Sequence, residues 1–257
     1  MDSSIRLQKW LSELGVASRR EAEAWIKEGR LQINNNIAAL GDKVRPQLDK
    51  IYLDNKLLKK KVPPKVYWLL HKPDKFLTSR AREDGKHRIF DLPMLAKNEL
   101  GVFPVGRLDY RTEGLLLMTN DGELCHRLCH PSYKVPRFYQ VLTIGKLSKE
   151  QLRQIRNGLE LADGKVRCDI KPAQGVNLGK SKGNWYFITV YEGRNRLVRR
   201  IFEHFQLRVN RLIRYGYGDL RLSDKLAAGS YRQLNSQEIK YLKSCTKLSA
   251  EKQEKMI

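Results

Sequence analysis

The sequence predicts an α+β fold divided into a small N-terminal domain, residues 1–62, and a larger domain, residues 63–243. The first segment combines two short amphipathic helices with stretches of period-two apolar alternation. A lysine run and a proline pair follow within residues 55–65, a composition typical of a linker. Beyond it, apolar and β-branched strands are interspersed with helical apolar stripes, which favours a sheet covered by helices.

The N-terminal domain is predicted from its capping and periodicity signals. Leu7, Trp10, Leu11 and Leu14 have the spacing of one helical face. Ser18 and Glu21 have the spacing of a capping box that opens a second helix, which ends at Gly29. Two alternating stretches, around residues 31–33 and 51–53, predict short strands.

The middle of the chain contains a polar loop that leads into a strand. Within residues 106–114 the carboxylate of Asp109 lies between Arg107 and Arg111, and a glycine stands at each end of the segment. The apolar run that follows, residues 115–118, predicts a buried strand, and Asn120-Asp121-Gly122 predicts a turn into a helix. A functional loop and a plain surface cluster of ion pairs are both compatible with this spacing.

Two later strands and two later helices complete the larger domain. Residues 137–144 and 185–190 predict the strands, and Ser148 to Gln151 has the spacing of a second capping box. The other helix carries a packed apolar stripe, and Arg196, Arg199 and Arg200 are predicted to share its anion-binding face. Residues 244–257 are polar and are predicted to form a basic flexible tail.

The charge of the chain indicates a polyanionic partner. Lys and Arg number 50 against 28 Asp and Glu, for a net charge of +22. Seven arginines lie within residues 194–214, a density that we expect RNA phosphates to neutralise. An anionic membrane is the alternative partner, but the sequence has no apolar segment of spanning length, so we expect no membrane association.

The N-terminus and the cysteines predict a cytoplasmic protein. The first residues are polar and resemble no signal peptide, and four scattered cysteines do not form a disulfide framework. Cys125-His126 and Cys129-His130 raise the alternative of a zinc site. On a helix the pair Cys125 and Cys129 and the pair His126 and His130 point in different directions. No second cluster exists to complete a site, so we favour a packed helix without metal.

Several motifs resemble a known family. The run Gly106-Arg107-Leu108-Asp109, the His71-Lys72-Pro73 segment and residues 192–200 resemble the bacterial ribosomal RNA pseudouridine synthases of the RsuA/RluB type. Residues 6–44 resemble the S4-like RNA-binding domain, with matching stretches such as Gly29-Arg30-Leu31 and Gly41-Asp42. The resemblance implies an S4-like domain followed by a catalytic domain built on a mixed, mainly antiparallel sheet.

The resemblance also implies roles for individual residues. Asp109 would be the catalytic carboxylate, Arg199 its basic partner, and Tyr139 the residue that lies against the uracil and assists proton removal. Arg107 would fill the gap left by a flipped nucleotide. The remaining basic residues expected to bind RNA are Arg19, Arg20, Lys27, Arg30, Arg194, Arg196 and Arg200.

The predicted activity is isomerisation of uridine to pseudouridine in ribosomal RNA, in 23S RNA rather than 16S RNA. We expect no cofactor, a monomer, and ribosomal RNA or a ribosomal subunit precursor as partner. Two other classes stay open: a non-catalytic RNA-binding or ribosome-assembly factor, and an RNA hydrolase. The hydrolase is disfavoured because the sequence has no cluster of carboxylates to hold metal ions.

Overall fold

The computed structural model describes residues 4–59, 63–96, 100–173 and 183–248. Its contacts divide the chain into two compact units. One comprises residues 1–66, 97–103 and 120–122, and the other comprises residues 67–96, 104–119 and 123–257.

The first unit contains the predicted pair of helices and a small antiparallel sheet. Its elements are β1 (Ile5–Arg6), α1 (Leu7–Glu13), α2 (Arg19–Lys27), β2 (Leu31–Ile33), β3 (Asn36–Ile37), β4 (Lys43–Val44), β5 (Ile51–Leu53) and β6 (Lys56–Leu57). The sheet order is β3-β2-β5-β6, and β1 pairs with β4. The capping box forms as predicted, with both the Ser18 and Glu21 side chains bonded to the helix backbone. Leu7, Leu11, Ala22 and Leu31 are fully buried at the centre of its core.

The second unit contains the remaining elements. They are β7 (Tyr67–Lys72), β8 (Phe76–Leu77), β9 (His87–Arg88), α3 (Pro93–Ala96), β10 (Phe103–Pro104), β11 (Glu113–Thr119), α4 (Gly122–Cys129), β12 (Arg137–Thr143), α5 (Lys149–Asn157), β13 (Leu159–Leu161), β14 (Gly164–Val166), β15 (Asp169–Pro172), β16 (Asn184–Val190), α6 (Leu197–Glu203), β17 (Val209–Tyr217), β18 (Leu220–Arg221), β19 (Tyr231–Gln233) and α7 (Ser236–Cys245).

A twisted mixed sheet organises this unit. The strand order is β15-β16-β12-β17-β11-β7-β19, and β18 adds to β17. The β11–β17 pair is parallel, whereas the pairs β7–β11, β12–β16, β12–β17, β15–β16 and β7–β19 are antiparallel. The α+β class with a mixed, mainly antiparallel sheet is therefore confirmed. The apolar strand β11 lies between β17 and β7, and its residues 114–119 are buried.

Gly114 is required by the close approach of β11 to β17. Its φ is +108°, and a Cβ atom added there would lie 2.3 Å from the carbonyl oxygen of Arg214. The glycine therefore approaches a neighbouring strand of the protein, and this contact fixes the backbone of Arg214.

Two predicted segment boundaries need correction. Lys56 and Leu57 pair with β5, so the linker predicted at residues 55–65 begins inside the sheet of the first unit. The flexible tail predicted from residue 244 begins too early, because α7 continues to Cys245 and Leu248 is buried in the core of the second unit. The lysines at 60 and 61 and the tail residues 249–257 lie outside the described residues.

Candidate active site

Asp109 lies on a tightly held loop between β10 and β11. Its backbone carbonyl accepts a hydrogen bond from the amide of Thr112 at 3.0 Å, which closes a turn. On the other side, the buried Thr78 hydroxyl donates to the carbonyl of Leu108 at 2.8 Å and lies 3.3 Å from its amide. The Asp109 side chain is 32% exposed. The loop is therefore rigid while its carboxylate stays accessible.

Lys72 stabilises the same loop through hydrogen bonds to its backbone carbonyls. It is fully buried, and its ammonium group donates to the carbonyls of Thr112 at 2.8 Å, Pro73 at 2.9 Å and Tyr110 at 3.4 Å. Burial lowers the pKa of Lys72 to about 8, although the nearby carboxylates of Asp74 and Asp109 favour its charged form. Sequence reasoning gave Lys72 no role of its own. The available signal was a lysine at the end of an otherwise apolar strand.

Arg199 approaches Asp109 from α6. Its Nε atom lies 4.0 Å from Oδ2 of Asp109, an ion-pair distance rather than a hydrogen bond. The two terminal nitrogens are occupied, because one donates to the carbonyl of Arg111 at 2.6 Å and the other to that of Val209 at 3.2 Å. The buried Nε has no hydrogen-bond partner among the described residues. Burial lowers the pKa of Arg199, and Asp109 opposes this effect.

Tyr139 shares a cavity with Asp109. The cavity has a volume of about 130 Å³, and its lining includes Asp109, Tyr139, Leu197 and Val198. A β-bulge precedes Tyr139, which lies opposite Arg214 of β17 and is 8% exposed. A neighbouring cavity includes Asp109, Arg199 and Arg196 in its lining. The structure thus brings the three predicted catalytic residues together, with Asp109 between the two cavities.

The lining of the cavity that contains Tyr139 also includes Cys129, Arg137 and Arg214. The sequence analysis weighed Cys129 only as a zinc ligand, expected RNA phosphates to neutralise Arg214, and gave Arg137 no role. The pKa of Cys129 is lowered to about 7, first by a hydrogen bond from Cys125 and then by the charges of Arg137 and Arg214. The two arginines are 6% and 2% exposed, respectively. Their positions on buried strand faces were the only signal available in the sequence.

Arg107 is exposed beside Asp109, and its role in base flipping stays a prediction. The side chain is exposed at the rim of the cavity, two residues before Asp109. Within the described part of the chain it has no hydrogen-bond or ion-pair partner. Its guanidinium group is therefore available to a ligand.

The predicted anion-binding face of α6 is not formed. Arg199 is buried against the Asp109 loop, whereas Arg200 forms an ion pair with Asp163 at 2.7 Å. Arg196 precedes the helix with φ +50° and pairs with Glu203 at 2.9 Å. The helix begins only at Leu197, so Arg196 lies outside it and does not share a helical face with Arg199 and Arg200.

The dense arginine segment is neutralised largely by carboxylates of the protein itself. Arg194 donates to Asp163 and Glu192 and to the backbone carbonyls of Gly164 and Lys165. Arg211 pairs with Glu113 at 2.6 Å. Arg194, Arg200 and Arg211 are thus compensated within the protein in the absence of RNA, and their neutralisation by RNA phosphates stays a prediction. Arg196 stays accessible, because its exposed pair with Glu203 is worth only about 0–1 kcal/mol.

The basic residues of the first unit also differ in availability. Arg19, Arg20 and Lys27 are exposed on α2. Arg30 instead forms a two-pronged contact with Asp54, at 2.6 and 2.9 Å, and its guanidinium lies over the ring of Trp25. The expected RNA-binding role of Arg30 therefore competes with an internal ion pair.

Neither a metal cluster nor a membrane span is present in the described ranges. No group of three or more His, Cys, Asp or Glu side chains there is arranged to hold a metal ion. No described helix is both long and apolar enough to cross a bilayer.

Comparison with known proteins identifies the class. A family model described as RNA pseudouridylate synthase matches residues 66–204, and an S4 domain model matches residues 5–49. The chain belongs to the RNA pseudouridylate synthase family, which confirms the predicted class of enzyme and the S4 domain.

Individual relatives agree with this assignment. The chain is 41% identical over 242 residues to an uncharacterized RNA pseudouridine synthase of Aquifex aeolicus, covering 93% of both chains. It is 40% identical over 242 residues to the ribosomal large subunit pseudouridine synthase B of Pseudomonas aeruginosa, covering 92% of this chain and 61% of that protein. A crystal structure of a pseudouridylate synthase matches 93% of this chain and all of its own, with a TM-score of 0.63 and 27% identity.

Proposed function

We propose that the enzyme isomerises a uridine of large-subunit ribosomal RNA to pseudouridine and that Asp109 is its catalytic carboxylate. The observation that carries the proposal is the position of Asp109, on a rigid loop at the edge of a polar cavity, opposite the buried Arg199. The relatives named as large-subunit synthases support the choice of RNA. Ribosomal RNA or a subunit precursor in the cytoplasm would be the partner of a monomeric enzyme.

The chemistry requires one bond to be exchanged for another. The bond between the sugar C1′ and the ring N1 breaks, and its electron pair stays with the base. The base turns, C5 forms a new bond to C1′, the C5 proton leaves, and N1 gains a proton. The reaction has no net change in atoms or electrons, so a carboxylate that bonds transiently to the electron-poor centre and then leaves is sufficient. Addition to the sugar and addition to the ring are both compatible with Asp109.

Arg199 would keep Asp109 ionised and oriented. Its two terminal nitrogens are fixed by backbone carbonyls, so its position does not depend on Asp109. The remaining Nε points to the carboxylate and is expected to form a charge-assisted hydrogen bond when RNA closes the site.

Tyr139 and Arg107 would act on opposite sides of the nucleotide. The largely buried Tyr139 would lie against the uracil and assist removal of the C5 proton. The exposed Arg107 would occupy the space that the flipped nucleotide leaves in the RNA stack. The exposed Arg19, Arg20 and Lys27 of the S4 domain would bind RNA phosphates.

A genetic experiment tests the activity and the role of Asp109 together. Pseudouridines are mapped across all ribosomal RNA of the host lacking the gene, complemented with wild type or with Asp109→Asn. We expect one or a few 23S sites to disappear and only the wild-type gene to restore them. Persistence of every site would reject the proposed substrate, sites lost from 16S RNA would reassign it, and restoration by the Asn variant would remove Asp109 from the mechanism.

A non-catalytic assembly role makes a different prediction for the same strains. In that case Asp109→Asn would restore the growth and ribosome profile of the deletion strain without restoring any pseudouridine. We expect Asp109→Asn to restore neither, because binding of RNA alone does not require a carboxylate held beside the buried Arg199 and Lys72.

A further inference from the structure

The floor of the Tyr139 cavity contains two buried guanidinium groups. Arg137 belongs to β12 and Arg214 to β17, and Tyr139 lies opposite Arg214 in the register between them. The β-bulge next to Tyr139 brings Arg137, Tyr139 and Arg214 to the same side of the sheet. Both arginines also line the cavity itself.

Each of the two guanidinium groups donates a hydrogen bond to a backbone carbonyl. Nε of Arg214 donates to the carbonyl of Leu115 at 2.8 Å, and one terminal nitrogen of Arg137 donates to the carbonyl of Leu128 at 3.2 Å. The ring centroid of Tyr217 lies 5.4 Å from the Arg137 Cζ atom and 5.3 Å from that of Arg214. The two cations are therefore rigidly positioned.

Each guanidinium also has a free donor. A terminal nitrogen of Arg137 and one of Arg214 are buried without a hydrogen-bond partner among the described residues, and the nearby Thr112 hydroxyl is in the same state. No carboxylate in the described ranges forms an ion pair with either arginine. Burying a cation without a counter-charge costs roughly several kcal/mol of folding free energy. Two such cations in one cavity therefore favour a ligand that is anionic or rich in hydrogen-bond acceptors.

We propose that Arg137 and Arg214 bind the two carbonyl oxygens of the target uracil and stabilise the negative charge that the ring carries during isomerisation. The inference rests on the proposed function. Cleavage of the C1′–N1 bond leaves the electron pair on N1, from which it spreads to O2 and O4. Addition of a carboxylate to ring C6 instead places negative charge on O4, so at least one of the two arginines stabilises the ring on either route.

The pair of donors also suits the turning of the base. A half-turn about the axis through N3 and C6 exchanges N1 with C5 and exchanges O2 with O4. Two cationic donors at fixed positions therefore meet a carbonyl oxygen both before and after the turn. Because neither donor has to move, the detached base is held by the same contacts in both orientations.

The test uses near-isosteric substitutions that remove the charge. Arg137→Met and Arg214→Met are compared with wild type in single-turnover assays on a 23S transcript labelled with tritium at C5 of uridine, which measure release of the C5 proton. We expect each rate to fall about 100-fold or more, with RNA affinity within about threefold of wild type. Arg153→Met is the matched control, because Arg153 is 71% exposed on α5 and should change neither quantity.

A substrate substitution separates binding of the uracil from a structural role. Stem-loops carrying the mapped target as 2-thiouridine or 4-thiouridine replace one ring oxygen by sulfur, a weaker acceptor. If an arginine contacts the replaced oxygen, wild type is slowed by the sulfur but the corresponding Met variant is not slowed further. Arg137→Lys and Arg214→Lys provide the same comparison with a retained charge, and they replace the Met variants if thermal unfolding shows that these do not fold.

Two results would overturn the inference. One is a rate within about threefold of wild type for both Met variants. The other is a strictly multiplicative effect of sulfur and substitution, which indicates that the arginines only maintain the fold. Failure of the proposed function is recognised separately, because wild type would then release no tritium from the transcript.

Discussion

The Nε atom of Arg199 lies 4.0 Å from Oδ2 of Asp109 while the other two guanidinium nitrogens donate to backbone carbonyls. The arginine thus joins two chain segments and still presents a charge to the carboxylate. Lysine has one nitrogen and would have to give up one of these contacts.

Arg199→Lys is therefore expected to lower kcat by about 10- to 100-fold while leaving RNA affinity nearly unchanged. The measurement is single-turnover release of the C5 proton together with RNA binding by filter retention. Arg153→Lys, an exposed position on α5, provides the control. Full activity of Arg199→Lys would show that a point charge is enough.

Arg107→Ala is expected to impair turnover of structured RNA by about 10-fold or more and to spare an unstructured oligonucleotide with the same target. The reason is that only a stacked base requires its gap to be filled. Arg153→Ala is the control, since Arg153 is an exposed arginine on α5 and lines neither cavity. Equal losses on both RNAs would argue against base flipping by Arg107.

The buried Lys72 predicts a pH dependence of stability. Its folded-state pKa of about 8 lies below the ordinary lysine value of 10.5, so between these two pH values the unfolded chain binds more protons at this residue. The free energy of unfolding attributable to Lys72 should therefore rise with pH in this window, by at most about 1.4 kcal/mol per pH unit, and be constant below it.

Lys72→Met provides the comparison, because it removes the titrating group. Urea unfolding of both proteins is measured from pH 7 to pH 10. The free energy of unfolding of wild type should rise relative to that of Lys72→Met above pH 8. Parallel curves would contradict the lowered pKa of Lys72.

The thiol of Cys129 should react unusually fast near neutral pH. Its pKa is about 7, lowered by the hydrogen bond from Cys125 and by two nearby arginines. Alkylation by iodoacetamide, followed site by site with mass spectrometry, should show a midpoint near this value. Cys125→Ala should raise the midpoint. Cys168 is the internal control, because burial raises its pKa to about 12 and should keep it unreactive.

Gly114→Ala should destabilise the enzyme by about 2 kcal/mol or more, because the added Cβ collides with β17 and the backbone has a positive φ. Gly122→Ala is the control, since nothing lies within 4 Å of a Cβ added there, and it should change stability by less than about 1 kcal/mol. Thermal and urea unfolding measure both. A mild effect at Gly114 would mean that β17 shifts easily.

Local signals predicted much of the fold. The Ser18 and Ser148 capping boxes and the buried strand β11 formed where periodicity and capping chemistry indicated. The strand order and the burial of Leu248 depend on contacts distant in sequence, which periodicity does not encode. For the site, motif resemblance indicated Asp109, Tyr139 and Arg199. It gave no individual role to Lys72, Arg137 or Arg214, because a charged residue in a strand has no local pattern that reveals a buried partner.

Asp163 accepts hydrogen bonds from both Arg194 and Arg200, and their charge keeps the pKa of its carboxyl low. One acidic residue thus withholds two cations from solvent beside the candidate active site. Loss of the Asp163 carboxylate would release the guanidinium groups of Arg194 and Arg200. Such a mutant would bind RNA less selectively, and these two side chains beside the site would lose their fixed positions. In an enzyme with a net charge of +22, selectivity among RNAs depends on the basic side chains that remain available to contact RNA. It depends equally on those that carboxylates of the protein already occupy.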